Sequence, residues 1–322
     1  MRSYLLRRLL QTLIVLFAVI TLVFVMFRLL PGDPTAMLID QSLDEAARQR
    51  LLVEWGLDKP LFDQYLTFLK NIAQFNFGVS FYYQAPVWQA IHTAWWNTVV
   101  LMGLAMIIAL VAGVVIGAYL GWKRGSLAER AGLVTALMLR STPIFWLGIL
   151  VLMVFAYWLH VFPTGGMRQL GYHSESLLDT YLSFDFALHL ALPLLTASLY
   201  FIADPMMVMR TCMLEVKGED FLEYLDALGF SERARMRHCA RNALLPVVTF
   251  ASIMVGFVFG GQVLLEIVFA WPGIGREMVL AIERRDYPIA QATFVVMSVM
   301  VIVMNFVVDI LYSYIDPRIR YA

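Results

Sequence analysis

The chain of 322 residues is 61% hydrophobic and 15% charged, where soluble domains run at roughly 45–50% and about 25%, which excludes a water-soluble globular protein. Its 24 Lys and Arg balance 24 Asp and Glu, so it lacks the cationic excess of a nucleic-acid surface and no nucleic acid is expected as a partner. Cys212 and Cys239 with five scattered histidines give neither a disulfide framework nor a metal-ligand spacing, so no metal site is expected.

A helix crossing the hydrocarbon core needs about 20 mostly apolar residues. Six such runs follow in order: 9–30, 98–120, 131–159, 186–203, 243–265 and 289–315. They predict an all-α membrane protein with six transmembrane helices. The first run follows Arg2, Arg7 and Arg8, as a signal peptide would. It is too long for such a segment and no small-residue cleavage site follows, so it is read as a retained helix. With the N-terminus cytoplasmic, the inside flanks carry 14 Lys and Arg against 8 outside, half of those in one long segment where the count weighs little. Both termini are therefore expected in the cytoplasm, residues 1–30 forming the N-terminus with the first helix and 314–322 the tail. Trp95, Trp96 and Trp122 fall at span ends, as interfacial aromatics do.

Residues 31–96 are polar enough to fold outside the bilayer. Ser42 with Glu45 reads as a capping box, Gly56 as a stop, and Asp58 with Pro60 as a second start, which predicts short helices over 43–55 and 60–75. Leu51, Leu52, Trp55, Leu61, Tyr65, Phe68 and Leu69 would bury a small core between them; a mere spacer is the alternative. Residues 97–313 then form the transmembrane core. In its first span Gly113, Gly117 and Gly121 stack on one face, the small-residue device for close helix packing in lipid, with a sliding or gating surface as the other reading. Gly256 and Gly260 repeat it.

Arg140 is costly in hydrocarbon unless it meets a partner or water, so it is a candidate for the translocation path, although it can also snorkel. Asp204-Pro205 marks a helix irregularity. Asn305 and Asp309, four apart on one face, suit interhelical hydrogen bonding, and Asp309 is the second path candidate.

The inside segment 211–242 is amphipathic. Phe221, Leu222, Leu225 and Leu228 recur at helical spacing, with Glu219, Asp220, Glu223 and Asp226 opposite. Gly229 supplies a stop and Ser231 a fresh N-cap before a basic helix. Pro246 is expected in the first turns of span five, where a missing N–H costs little. A short helix of this kind suits a groove on a soluble partner; its acidic face would be repelled by anionic headgroups.

Glu223, Gly229 and the string Asn242 to Pro246 resemble the EAA loop of bacterial ABC importer permeases. Met213 to Val216, Gly218 to Asp220 and Arg241 to Val247 resemble more narrowly the dipeptide, oligopeptide and nickel permease family. So do Pro31 to Pro34, Gly56 to Pro60, Phe77 to Ser80, Ser141 with Pro143, Phe145 and Trp146, Glu266, Phe269 to Gly275, Arg285 to Pro288 and Asp316 to Arg320. Tyr224 and Leu225 depart from the two alanines of that loop, and Asp226 and Leu228 stand where relatives usually carry basic residues.

The resemblance implies a type I importer permease fold in the bacterial inner membrane, with a helical periplasmic insertion between helices 1 and 2. It implies a heterodimer with a second six-span permease, two cytoplasmic ATPase subunits and an external solute-binding protein, all around membrane lipid. ATP and Mg belong to the ATPase subunits, and this chain is not itself an enzyme. Coupling to the ATPases falls to Glu219, Asp220, Phe221, Glu223, Tyr224, Leu225, Ala227 and Gly229, while Pro246, Trp271, Pro272 and Gly273 are structural or gating positions. The insertion and the Trp271-Pro272-Gly273 turn would project outward. Di- and oligopeptides are the favoured cargo, nickel or a metal chelate the alternative. An intramembrane enzyme lacks its motifs, and an ion-coupled carrier lacks conspicuous midplane charge.

Overall fold

The computed structural model describes residues 2–29, 59–169, 171, 177–260 and 262–315. The predicted helix over 43–55, with Ser42, Glu45, Leu51, Leu52, Trp55 and Gly56, lies outside them. Among the described residues the structure is helical, with one isolated antiparallel bridge between Val79 and Pro86. Four helical stretches are long and apolar enough to cross a membrane, or up to six if two bent pairs each count as one.

Two compact units emerge, one of residues 1–97 and 273–306, the other of residues 98–272 and 307–322. In the first, α1 (Arg2–Leu29) carries α2 (Leu61–Ala73). Tyr65 and Phe68, expected in the core of the insertion, pack their rings on Phe24 of α1, at 5.2 and 5.4 Å, and Tyr65 hydrogen-bonds Thr21 at 2.7 Å. Leu61 is exposed. The start of α3 (Val87–Trp122) contributes Val87, Ile91 and Ala94 to a buried cluster with Ile274 and Ala281 of α12 (Ile274–Glu283) and Ile289, Ala290, Ala292 and Val296 of α13 (Tyr287–Ile315).

In the second unit, α3 continues past the three stacked glycines. A Cβ at Gly113 would lie 2.7 Å from the Pro205 ring, one at Gly121 2.6 Å from Met213 Cβ, and one at Gly117 would run into the carbonyl of Met206. The glycines thus seat α3 directly on α8 (Ala203–Lys217), where any side chain would force the helices apart.

The run predicted as one span over 131–159 is broken. Helix α4 (Leu127–Ser141) and the next pair, α5 (Ile144–Leu152) with a π turn over Met153–Trp158, meet at 102°. Proline disfavours helical geometry in the residue before it, and Thr142 is extended at φ −79°, ψ 128°. After α6 (Leu177–Leu182), α7 (Phe184–Phe201) gives way to α8 at Ile202; Pro205, in the first turn of α8, offers no N–H to the carbonyl of Phe201. The apolar run ends near 203, yet the helical stretch continues to Lys217.

Two short helical elements complete the list: α9 (Asp220–Ala227) and α11 (Val263–Val268), on either side of α10 (Glu232–Gly260). The placement of Pro246 is corrected: α10 begins at Glu232, so Pro246 stands in its interior. There it removes a backbone hydrogen bond and its ring crowds the preceding turn, and the helix bends by 40° between Glu232–Val248 and Phe250–Gly256.

Candidate functional site: the inner loop and its supports

Helix α9 starts after Glu219, which is extended and makes no side-chain cap. It ends in two crossed bonds, Gly229 N–H to Asp226 O at 2.8 Å and Phe230 N–H to Leu225 O at 3.1 Å. This closure needs a left-handed residue at its corner, and Gly229 has φ +78°. Ser231 Oγ then accepts from Ala234 N–H at 3.4 Å to open α10.

The apolar stripe does not face outward as expected for a docking helix. Leu222 is buried, and Phe221 and Leu225 half-buried, in a cluster with Met209, Met213, Cys239, Ala243 and Val247. Burying this face against its own chain fixes the helix on α8 and α10 and leaves a different face exposed: Asp220, Glu223, Tyr224, Asp226, Ala227, Leu228 and Gly229. Phe221 and Leu225 therefore act as anchors. Asp226 is also tied down, by Arg235 at 2.6 Å.

Further clamps brace the loop. Lys217 Nζ donates to the Trp122 carbonyl at 2.8 Å and sits 5.0 Å from the Trp122 ring centre. Glu232 accepts from Trp122 Nε1 at 2.9 Å and Lys123 Nζ at 2.8 Å, and the Lys123 bond to this carboxylate holds its ammonium above the usual lysine range. At the start of α4, Ser126 Oγ accepts from Glu129 N–H at 3.2 Å while Glu129 Oε2 accepts from Gly125 N–H at 2.5 Å. The other Glu129 oxygen is bound by Arg210 of α8, Nε at 2.8 Å. Neither Glu129 nor Arg210 stood out in the sequence as a site residue; the spacing Ser126 to Glu129 was the available signal.

Arg140 and Asp204, singled out separately, are brought together. Arg140 Nε donates to Asp204 Oδ1 at 3.1 Å and its Nη1 to the Tyr200 hydroxyl at 2.5 Å. Asp309, half-buried in α13, is not among the partners of Arg140.

Trp271 does not project. It is fully buried with Phe269 and Leu265, its ring 5.9 Å from Phe186, and its backbone N–H donates to the Glu266 carbonyl at 2.8 Å. Glu266 is itself fully buried and accepts from Thr98 Oγ1 at 2.6 Å. The loop before α6 is fastened to the same corner by Gly166 N–H to Phe269 O at 2.8 Å. Gly273 caps α12 in extended geometry, and Pro272 is half-buried.

In the first unit two distant sequence strings meet. Asp286, buried before α13, accepts from Ser80 Oγ at 2.5 Å, Tyr82 N–H at 3.1 Å and Ile289 N–H at 3.3 Å. Beside it Arg284 lies 4.0 Å from the Tyr82 ring centre and donates to the Tyr83 hydroxyl at 3.1 Å. Burial pushes the Tyr83 phenol up, and Glu277, which accepts from it at 3.1 Å, adds to the shift.

Residues 113–321 match the family described as binding-protein-dependent transport system inner membrane component, and residues 1–102 its N-terminal membrane component. The chain belongs to this permease family. The di/tripeptide transport system permease protein DppB of Pseudomonas aeruginosa is 38% identical over all of this chain and 99% of its own length. The oligopeptide transport system permease protein AppB of Bacillus subtilis and the glutathione transport system permease protein GsiC of Pectobacterium atrosepticum are 34% and 36% identical, each covering both chains in full. The strings that meet at Asp286 and at Trp271 are thus internal supports of a permease.

Proposed function

We propose that this permease forms half of the path by which an ATP-driven importer takes up di- and oligopeptides delivered by an external binding protein. The peptide cargo rests on the relatives named for di/tripeptide and oligopeptide transport. In this reading both termini are cytoplasmic, six spans result from counting each bent pair once, and the periplasmic insertion covers 31–96. The core runs over 97–313, with a second permease completing the path. Two ATPase subunits supply ATP and Mg chemistry, and this chain supplies motion.

The observation that carries the reading is the short helix α9, anchored by Leu222 and presenting Glu223, Tyr224 and Ala227 to solvent. A helix braced so firmly transmits a push to α8 and α10 without bending, the rigid-body mode of a two-state switch. An ATPase groove that receives it must be basic or apolar rather than acidic.

The test is to purify the tagged chain in mild detergent from its host and to measure ATP-driven uptake of a labelled dipeptide in vesicles. Recovery of a second permease with two ATPase subunits, and uptake that stops without ATP, are expected. A solitary chain under crosslinking, or uptake driven by an ion gradient alone, overturns the proposal.

A further inference from the structure

We propose that the groove where α1, α12 and α13 meet binds one anionic phospholipid, its phosphate held by Arg285 and an acyl chain laid along Met26, Phe27 and Phe294. The site needs only a membrane-embedded chain and stands apart from the choice of cargo.

Its depth follows from the ends of two spans. The apolar stretch of α1 runs over Leu6–Arg28 and that of α13 over Tyr287–Ile310. Met26 and Phe27 thus fall in the last turn of one span, and Ala290 and Phe294 in the first turns of the other. These ends meet: the Phe27 ring lies 6.4 Å from that of Tyr287 and 5.8 Å from that of Phe294. Span ends lie where hydrocarbon gives way to headgroups, roughly 15 Å from the bilayer centre, so Arg285, two residues before the α13 span, stands at headgroup level.

The walls are apolar. Met26, Phe27, Ala290, Phe294 and Ile282 of α12 line about 290 Å³ of open space, close to the lower end of the range usual for ligand pockets, about 300 Å³. Met26 and Ile282 are exposed, and only 11% of the apolar window of α1 is buried, so the groove opens along a helix that its own chain leaves largely uncovered. An acyl chain fills such a groove with no polar group to desolvate.

The rim carries the charge. Among the described residues Arg285 is the only charged one lining the groove, and its side chain makes no ion pair or hydrogen bond with them. Its neighbours are spent elsewhere, Arg284 on Tyr82 and Tyr83 and Asp286 on Ser80, Tyr82 and Ile289. Helix α12 closes with Asp286 N–H to Ala281 O at 2.8 Å and Arg285 N–H to Ile282 O at 3.1 Å, which puts Arg285 in left-handed geometry at φ +58°. Gly or Asn fills that corner at less cost, and strain kept at such a position points to use of the side chain. A guanidinium without a counter-ion, beside an apolar groove at headgroup level, is complementary to a phosphate that carries an acyl chain. A free phosphate would leave the groove unfilled.

The test places the assembled importer in phosphatidylcholine nanodiscs doped with phosphatidylglycerol that bears a photoreactive diazirine on one acyl chain, and maps the labelled peptides. Segments 26–27 and 282–294 of the wild type are expected to be labelled above the rest of the membrane-facing surface, and less by the same diazirine on phosphatidylcholine. Arg285→Asn removes the charge and suits the left-handed corner; it is expected to lower the labelling about fivefold, equivalent to about 1 kcal/mol. Arg285→Lys is expected to keep most of it, Lys70→Gln all of it, and excess inorganic phosphate to displace none. Absent labelling, as when another protein chain covers the groove, equal labelling by the two lipids, displacement by inorganic phosphate, or labelling indifferent to Arg285→Asn overturns the site.

Discussion

Asp286 illustrates how single residues hold this molecule together. A buried carboxylate is tolerated only when hydrogen bonds replace its water, and Ser80 Oγ, the Tyr82 N–H and the Ile289 N–H do so. Replacing Ser80 by Ala removes one charged hydrogen bond and is expected to cost about 1.5–3 kcal/mol, seen as a lower Tm of the purified complex; an unchanged Tm would show that the hydroxyl is dispensable. Gly117 is the second case. A Val there collides with the Met206 carbonyl, and overpacking of this kind costs about 1–3 kcal/mol, so Gly117→Val is expected to reduce folded protein in the membrane where Gly103→Ala, whose Cβ would meet nothing closer than Val258 at 3.9 Å, does so far less. Both positions were legible in part: the four-residue glycine period announces close packing, whereas nothing in either string reveals that Ser80 finds Asp286, because 206 residues separate them.

At the scale of elements, helix stops and starts were the most readable feature. Gly229 and Ser231 punctuate the inner loop where local chemistry requires, and Gly229→Val is expected to impair ATP-driven uptake more than Gly229→Asn, because Asn enters left-handed geometry far more readily than a β-branched residue. Equal uptake by the two would remove φ from the explanation. Composition misjudged other features. The apolar stripe of α9 looked like a docking face and is an anchor, since periodicity tells which residues share a side and not what covers it. Pro246 looked like an N-terminal proline because the apolar run starts at Ala243; the helix begins eleven residues earlier, at Glu232, in a basic stretch that hydropathy ignores. The break at Thr142-Pro143 was visible as a proline and hidden by the length of the run around it.

At the scale of the whole molecule, family and membrane character were legible from composition and from ordered short strings along the chain. The joining of Arg140 to Asp204 was not, because each looked like an isolated intruder until α4 and α8 were laid side by side. The same ion-pair logic recurs at Glu129 and Arg210 on those two helices, so α4 is stapled to α8 at two levels and α8 leads straight to the inner loop. Arg210→Met is accordingly expected to leave Glu129 buried without its cation and to lower complex yield and Tm. Retention of both would mean that the Ser126 cap and Gly125 N–H suffice.

The central claim is that α9 carries force between ATPase and permease. The most direct measurement replaces Tyr224, which is 65% exposed, by Cys in the assembled transporter and applies a short thiol crosslinker, with Tyr82→Cys in the first unit as comparison. Tyr224→Cys is expected to link to an ATPase subunit in a nucleotide-dependent manner, with the link arresting hydrolysis, while Tyr82→Cys links to no ATPase. Crosslinking of Tyr82→Cys to the ATPase with none from Tyr224→Cys would contradict both the sidedness and the coupling role.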